Sequence, residues 1–503
     1  MKPEADLINK VISLCKRRGF VFQSSEIYGG LKSCYDFGPL GVELKRNIAQ
    51  AWWRDMVQSR SNIYGIDAGI LMHPKVWKAS GHLDNFSDPL VDCFNCRERF
   101  RADKAPRFAP GTLVTAQIRT KNNKSEEKTI PVGECGYVCP HCNSTNLSPE
   151  RLFHGMFRTA IGSLDPLNEL MENYSEGMNK DSFREFLTSH IEKSAIYLRP
   201  ETAQAMFVQF LNVQQTMAAK VPFGIAQQGK SFRNEIVVEH FIFRSCEFEQ
   251  MEMEFFCEPG SQLEWLEYWK QERLRWHQQF ANHKDHYRFR EHARDELAHY
   301  SDRCFDIEYL YPWGWDELEG IASRTDFDLK QHSQASGSKL TYFDPHKVNP
   351  ETGKAGWRYT PYVVEPAAGL TRTFLCYLLD AYKEEASVDA EGGSKQRTVL
   401  KLHPTLAPIK AAIFPLVKKD GQPEMAEKIA AELRQTGLAV VYDDNQSIGK
   451  RYAKHDEVGT PYALTIDSES LRDQQVTIRD RDTTQQRRVP IAEALGVVQQ
   501  LHS

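Results

Sequence analysis

FGIAQQGKSFRNEI (residues 223–236) and FRSCEFEQMEMEFF (243–256) are two runs of strand character joined by a short connection. If the first is extended through its end, Arg233 and Glu235 point to one face. In the second, Gln250 and Glu252 share one face, while Glu247 and Glu249 lie on the other. An Arg and a Glu side by side can bind a phosphate and orient a neighbouring amine. Phe232-Arg-Asn-Glu235 taken alone favours a surface ion pair, which is common and worth little. The second strand adds carboxylates next to an arginine-bearing strand. Acids there suit a substrate ammonium group, and Arg233 and Arg244 suit a carboxylate or phosphates.

The segments around this pair extend the pattern. SAIYLRPETAQAMFVQFLNV (194–213) reads as a strand, a turn at Arg199-Pro200 and a helix opened by Glu201-Thr202. Residues 260–300 carry Trp, His, Arg and Glu at helical density and read as a helical insertion. Gly369-Leu370-Thr371-Arg372 sits at a helix start, where backbone amides add anion affinity. Toward the N-terminus, residues 7–15 read as an amphipathic helix. Pro39 stands between Gly38 and Gly41, and Val42 begins a helix to about Ser59. Its apolar positions Leu44, Ile48, Trp52 and Met56 are near helical spacing. Residues 165–192 read as a polar insertion of helical character, and 384–398 as a polar linker. From residue 399 to 503 strands alternate with helices, which indicates an α/β domain.

Five of the eleven cysteines lie between residues 93 and 142. Cys93-Phe-Asn-Cys96 and Cys139-Pro-His-Cys142 are two C-x-x-C knuckles that can supply four thiolates to one tetrahedral Zn²⁺. The stretch between them is longer than the usual ~15–20 residues. Cys135 and His141 stand as alternative ligands, and free or redox cysteines as the plain alternative. A closed four-cysteine site has no open position and implies no catalysis.

Composition bounds the rest. At 503 residues the chain predicts about three domains of ~150 residues each. The net charge of −5 excludes a generally basic nucleic-acid coat protein, so any nucleic-acid contact is local. No uncharged apolar run approaches the ~18 residues that span a bilayer, so no membrane partner is expected. MKPEADLINKVISLCKRRGF has acids early and no apolar block, unlike a signal or transit peptide, so a cytoplasmic location is expected.

SSEIYGG (24–30), YDFGPLGVELK (35–45), YLRPETAQ (197–204), GKSFRNEI (229–236), FEQMEMEFF (248–256), GIASRTDFDL (320–329), VEPAAGLTR (364–372), LAPIK (406–410) and KRYAKHDEVGTPYA (450–463) come in this order. Together they resemble the homodimeric glycyl-tRNA synthetases, a family of class II aminoacyl-tRNA synthetases. The resemblance covers nearly the whole chain, excepting 165–192 and 260–300. It implies an α+β catalytic core, an antiparallel sheet with flanking helices. An inserted zinc-ribbon-like module and a C-terminal α/β anticodon-binding domain complete the expected architecture. The implied division is 1–92 and 151–383 for the core, with the dimer element in the first part, 93–150 for the module, 384–398 for the linker and 399–503 for the last domain.

The resemblance also implies a two-step reaction. Glycine and ATP give glycyl-adenylate and pyrophosphate, and the glycyl group then passes to the 3′ end of tRNA(Gly). Arg233, Glu235, Arg372 and Arg324 would be the catalytic residues. ATP would lie against Arg233, Asn234, Glu235, the run Phe243, Arg244, Ser245, Cys246, Glu247 and Phe248, Glu317 and Leu318, and Gly369, Leu370, Thr371 and Arg372, with Mg²⁺ on the polyphosphate. Glycine would be held by Arg101, Glu201, Phe248, Glu249, Gln250, Met251, Glu252, Glu365, Pro366, Ala367, Ala368 and Gly369. Zn²⁺ would sit on Cys93, Cys96, Cys139 and Cys142. Glycine has no side chain to read, so a site selects it by gripping the ammonium and leaving no space for Cβ. Two positions depart from the family pattern: Ala367 stands where a serine is usual, and Cys246 where an arginine is usual. Lys450, Arg451 and Lys454 are expected to face tRNA phosphates. The alternatives are a non-catalytic nucleic-acid-binding relative on the same fold and a same-subgroup synthetase for another small amino acid.

Overall fold

Seven strands form the largest sheet of the chain: β1 (Ile63–Ile66), β2 (Phe223–Phe232), β3 (Glu247–Cys257), β4 (Tyr287–Glu291), β5 (Arg303–Tyr311), β6 (Gly314–Thr325) and β7 (Tyr362–Gly369). They come from a computed structural model that describes residues 6–119, 125–161, 168, 171–172, 179–236, 240–298, 300–388 and 394–502. The order across the sheet is β4-β5-β6-β7-β3-β2-β1. The pairs from β4 through β3 are antiparallel, and β1 runs parallel to β2 at the edge. The antiparallel sheet expected for the core is therefore present.

Alternation along the strands separates two faces. Met251, Met253, Phe255, Ile307, Ile321 and Val364 belong to the main hydrophobic core. Helices α1 (Leu7–Arg18), α2 (Pro39–Trp53), α3 (Gln262–Gln279) and α5 (Leu370–Ala381) contribute to the same core, through residues such as Leu14, Trp52, Trp269 and Phe374. Burying each large apolar side chain contributes about 1.5–3 kcal/mol, and this fixes which face of the sheet is left for polar work. Helix α2 opens at Pro39, three residues before the expected start, with Pro at the first helical position. That position needs no backbone N–H. Gly41 is required there, because a Cβ would lie 1.8 Å from the carbonyl oxygen of Phe20.

Two expectations are corrected. The 260–300 stretch is not helical throughout: α3 packs its Leu266, Trp269 and Trp276 into the core, and residues 287–291 are the sheet's edge strand β4. Its helical density was real only to Gln279, after which Tyr287 and Phe289 alternate as in a strand. The 384–398 linker is in part a hairpin, with Tyr382–Val388 antiparallel to Ser394–Leu400. Of 165–192, the described part includes a helix over Lys180–Ser194, and the remainder lies largely outside the described residues.

The chain divides into two compact units, one of residues 1–68, 201–231 and 239–503, the other of 69–200 and 232–238. The second is wider than the expected 93–150 module. It holds a three-stranded sheet of Arg99–Arg101, Ser87–Asp92 and Arg151–His154, another of Arg158–Ala160, Ala195–Leu198 and Leu71–Met72, and a hairpin of Leu113–Arg119 with Ser125–Pro131. In the first unit the C-terminal part is a five-stranded sheet ordered Val440–Tyr442, Ala411–Pro415, Tyr462–Ile466, Gln475–Asp480 and Gln486–Pro490. Helices Gln422–Gln435 and Ile491–Gln499 add residues to its core, so the expected α/β domain is present. No helix among the described residues is long and apolar enough to cross a membrane.

Candidate active site

The register of the sheet sets out the polar face in two rows. Glu252 pairs with Ala367, Ala367 with Gly320 and Gly320 with Asp306. Glu365 pairs with Ala322 and Ala322 with Cys304. Direct partners and residues two apart share a face, so these seven positions and Glu254 face the same way. The two rows span roughly 14 Å at about 4.8 Å per strand. Their centre is a floor of Gly320, Ala322 and Ala367, walled by acids.

The glutamate wall is dense. One oxygen each of Glu252, Glu254 and Glu365 lie within 4.8 Å of one another, and all three residues are buried. Arg324, 2% exposed, is the cation set against them. It donates to Asp328 through Nε (2.9 Å) and Nη2 (3.0 Å) and to Glu365 through Nη1 (2.5 Å). Gln204 Nε2 donates both to Glu201 (2.9 Å) and to Asp328 (3.0 Å), and its own oxygen lies 2.8 Å from His332 Nε2. Thr202 donates its hydroxyl to Glu252, and Ser231 donates to Gln250 (2.7 Å). Helix α4 (Phe327–Ser336), which begins directly after β6, positions Asp328 and His332.

Burial pushes the Glu252 carboxyl up to about 8, with Glu365 and Glu201 adding to the rise. Burial pushes Glu254 well above the ordinary carboxylate range, and Glu365 adds to it. Glu365 is also raised by burial, although Arg324 opposes the rise. Neither buried oxygen of Glu254 meets a donor from another residue within hydrogen-bond geometry. Among acids and far from water, such a group holds a proton and shares it with its carboxylate neighbour. A pocket of this kind binds a small cation, because an ammonium group replaces the missing positive charge.

At the other end of β6, Arg372 projects from the first turn of α5. Its Nη1 lies 3.0 Å from a Glu317 carboxylate oxygen, and its Nε donates to the Phe243 carbonyl at 3.3 Å. The guanidinium stands 4.5 Å from the Phe243 ring centroid. Nearby, His240 stacks on Trp313 at 4.0 Å and Tyr311 stacks on Trp313 at 4.7 Å.

Within the second unit, the strand ends at Phe232, and this corrects the premise that Arg233 and Glu235 share a strand face. Phe232 N bonds to Arg199 O, Asn234 N to Gly155 O (2.8 Å) and Glu235 N back to Arg233 O (2.8 Å), so the chain turns out of the ladder. Arg233 donates through Nε to the Pro200 carbonyl at 3.1 Å and lies over the Phe86 ring. Arg101 is held by Asp88 and Asp103, at 2.8 and 2.7 Å. Asn234 also lines a cavity of about 810 Å³ whose walls include Lys75, Lys78, His82 and Arg158. The four-cysteine cluster lies in the same unit. One sulfur of each of Cys93, Cys96, Cys139 and Cys142 falls within 4.8 Å of the others. Two of the separations, Cys93–Cys142 and Cys96–Cys139, are 3.6 Å. That is too long for a disulfide and close to the edge, about 3.8 Å, of a tetrahedron with ~2.3 Å Zn–S bonds. Cys135 and His141 are outside this cluster.

Several expected ligands stand elsewhere. Met251, Leu318, Ala368 and Leu370 are in the hydrophobic core, and Pro366 is buried on the side opposite Ala367 and Glu365, so none presents its side chain on the acidic face. Glu249, on the Met251 side of β3, pairs with Lys45, and its N–H bonds to Thr371 Oγ1 at 3.1 Å. Glu247 pairs with Lys230, Ser245 donates to the Glu247 carbonyl, Cys246 N donates to the Ser33 carbonyl and Arg244 is exposed. Phe248 is half-buried with the Gln250 parity, and Gly369 is half-buried at the N-cap of α5. Arg324 is not available to grip a substrate carboxylate, because Asp328 and Glu365 occupy it. Arg451 is also corrected: it is 4% exposed and donates to the carbonyls of Pro415 and Asp443, so it cannot face a phosphate. Lys454 pairs with Asp443, and Lys450 is exposed. Sequence reasoning missed Glu254, although its strand parity with Glu252 was a sufficient signal. It also missed Gln204, Thr202 and Asp328, although Asp328 stands four residues after Arg324 and Gln204 three after Glu201.

Comparison with known proteins gives this geometry its setting. Residues 410–501 match the family described as "Anticodon binding domain". The glycine–tRNA ligase of Geobacillus thermodenitrificans is 47% identical over 97% of this chain and 96% of its own. Those of Treponema denticola and Clostridium perfringens are each 45% identical, over 97% and 98% of this chain and 96% and 98% of theirs. The chain belongs to the glycine–tRNA ligase family. A solved structure of Giardia lamblia prolyl-tRNA synthetase in complex with prolyl-adenylate superposes with a TM-score of 0.59 at 16% identity, covering 98% of this chain and 75% of that one. That likeness shows the class II synthetase fold, and the match over 410–501 makes the C-terminal α/β part of this ligase family member its anticodon-binding domain.

Proposed function

We propose that the chain activates glycine with ATP and transfers it to the 3′ end of tRNA(Gly). The observation that carries this reading is the acid-walled floor of Gly320, Ala322 and Ala367. Glu201, Glu252 and Glu365 bind the ammonium of the amino acid, and the crowding of three carboxylates leaves no space for a side chain. Arg324 and Asp328 hold Glu365 in place, and Thr202 and Gln250 hold Glu252.

In the first step a glycine carboxylate oxygen bonds to the α-phosphorus of ATP and the bond to pyrophosphate breaks. Arg233 stabilises the charge growing on the α-phosphate, Arg372 holds the γ-phosphate, and Glu235 meets the adenine amine. In the second, the terminal ribose hydroxyl attacks the acyl carbon, loses its proton and displaces AMP. No enzyme nucleophile takes part, so catalysis is positioning and electrostatics. Bound Mg²⁺ would neutralise the polyphosphate, and Glu317, 46% exposed beside Arg372, fits as an oxygen ligand. The four clustered thiolates fit Zn²⁺ as a structural ion. Residues 399–503 are proposed to read tRNA(Gly). A homodimer is proposed from the motif around Pro39 and the exposed Ile27, Tyr28 and Leu31, which a second copy would cover. The place of action is proposed to be the cytoplasm.

The test is ATP–pyrophosphate exchange run with glycine, alanine and serine side by side. Exchange driven by glycine above the other two supports the reading. Exchange driven better by serine or alanine assigns another small amino acid, and no exchange with any of them leaves a non-catalytic relative.

A further inference from the structure

The wall opposite the glutamates carries a second kind of chemistry. Cys304 and Asp306 are same-face neighbours on β5, and His292 directly follows β4, its N–H bonded to the Cys304 carbonyl at 3.0 Å. His292 Nε2 lies 2.7 Å from Asp306 Oδ2. One imidazole nitrogen, the thiol sulfur and one carboxylate oxygen fall within 4.8 Å of one another. Cys304 and Asp306 lie on β5 and His292 is tied to that strand by its own N–H, so little ordering is required on binding a ligand.

The surroundings have too much negative charge. The nearby cation, Arg290, is divided among Glu296, Glu308 (3.9 Å) and Asp306 (3.5 Å). There is also room: a Cβ on Gly320, the cross-strand partner of Asp306, would meet nothing closer than Asp306 Oδ1 at 3.9 Å. A second cluster, His283, His286 and Asp380, is less suited, because Asp380 already accepts from Asn282 N, His283 and Tyr309.

We propose that His292, Cys304 and Asp306 form a site for a Zn²⁺-class ion, distinct from the four-cysteine cluster and facing the floor beside Gly320. A mixed nitrogen, sulfur and oxygen set selects borderline-soft ions over Mg²⁺, which takes oxygen ligands. Three ligands leave a fourth position open. On binding, the thiol proton goes to solvent and the imidazole binds as its Nδ1–H tautomer. The direct His292–Asp306 hydrogen bond is thereby replaced by one bond from each residue to the ion. This proposal does not rest on the ligase reaction and needs no substrate to test.

The experiment uses the full chain with its four-cysteine cluster loaded with zinc. Cd²⁺ and Co²⁺ are titrated in, read by thiolate-to-metal absorption and by metal counted per chain. The expected result is one ion beyond the zinc already present, with a thiolate band. Cys304→Ser should abolish that band and bind the added ion at least about tenfold more weakly, and His292→Gln should weaken it similarly. Both should keep the zinc of the four-cysteine cluster and the wild-type circular dichroism. Cys304→Ala is the second variant should serine disturb folding. No added ion in the wild type, or an added ion bound equally well without the Cys304 sulfur, would overturn the proposal.

Discussion

Glu254 should behave as a protonated acid, and its replacement by Gln and by Leu should separate sharply. The residue is fully buried, neither of its oxygens meets another residue's donor within hydrogen-bond geometry, and its neighbours include the carboxyls of Glu252 and Glu365. The wild-type proton therefore serves as a donor to Glu365. Glutamine keeps the volume, carries no charge and offers an N–H in the same place, so Glu254→Gln should change the glycine KM by less than about threefold and stability by less than about 1 kcal/mol. Leucine removes the donor and leaves a Glu365 oxygen unsatisfied, which costs about 1–3 kcal/mol. If that cost falls on the pocket's grip on glycine, KM rises about 5- to 140-fold at 1.4 kcal/mol per decade. The assay is glycine-dependent pyrophosphate exchange at neutral pH, with urea unfolding of each variant alongside. A Gln variant as impaired as the Leu variant would refute the reasoning, since it would mean that the site needs a negative charge at residue 254.

The remaining expectations concern the rest of the cluster, its titration, the phosphate arginine and the zinc. Arg324→Met leaves Glu365 and Asp328 buried with their cation gone, so it should destabilise the first unit by about 3–5 kcal/mol, measured by denaturant unfolding; a loss under 1 kcal/mol would show that the acids do not depend on it. Glu252 is raised to about 8 in the folded chain, so its contribution to stability is complete below its unfolded value of about 4.5 and disappears as pH rises through about 8. Glycine supplies the missing positive charge, so the rise in Tm that it causes should be larger near pH 8.5 than near pH 6, and a rise that is flat or reversed in pH would contradict the assignment. Arg233→Ala should lower exchange by about 100- to 1,000-fold with unchanged unfolding, as expected for a group that acts on developing charge. Purified protein should carry zinc on the four cysteines, and Cys139→Ser should release it; freely titratable thiols in the wild type would exclude the site.

The strands bearing the acids were legible because one residue in two must face the core: FEQMEMEFF alternates glutamate with methionine and phenylalanine, which exposes its own two faces. The two C-x-x-C knuckles were legible because ligand spacing is a local property. Helix α5 and the placement of Arg372 followed from a glycine-led helix start. The 260–300 stretch was misread because a helix that buries Trp269 and Trp276 and an edge strand with a single buried tyrosine both look polar when the partner surface is unknown. The sequence alone settles which residue types are available and on which face of a strand each falls, because alternation and helical spacing are set by the backbone. Only the tertiary structure decided that Arg324 is taken up by Asp328 and Glu365, that Arg451 is buried, that Arg233 leaves the sheet and that Gly320 and Ala367 lie between Glu252 and Asp306. Those facts depend on cross-strand register and on distant partners, Glu365 for Arg324, Pro415 for Arg451 and Pro200 for Arg233, and no local pattern encodes either.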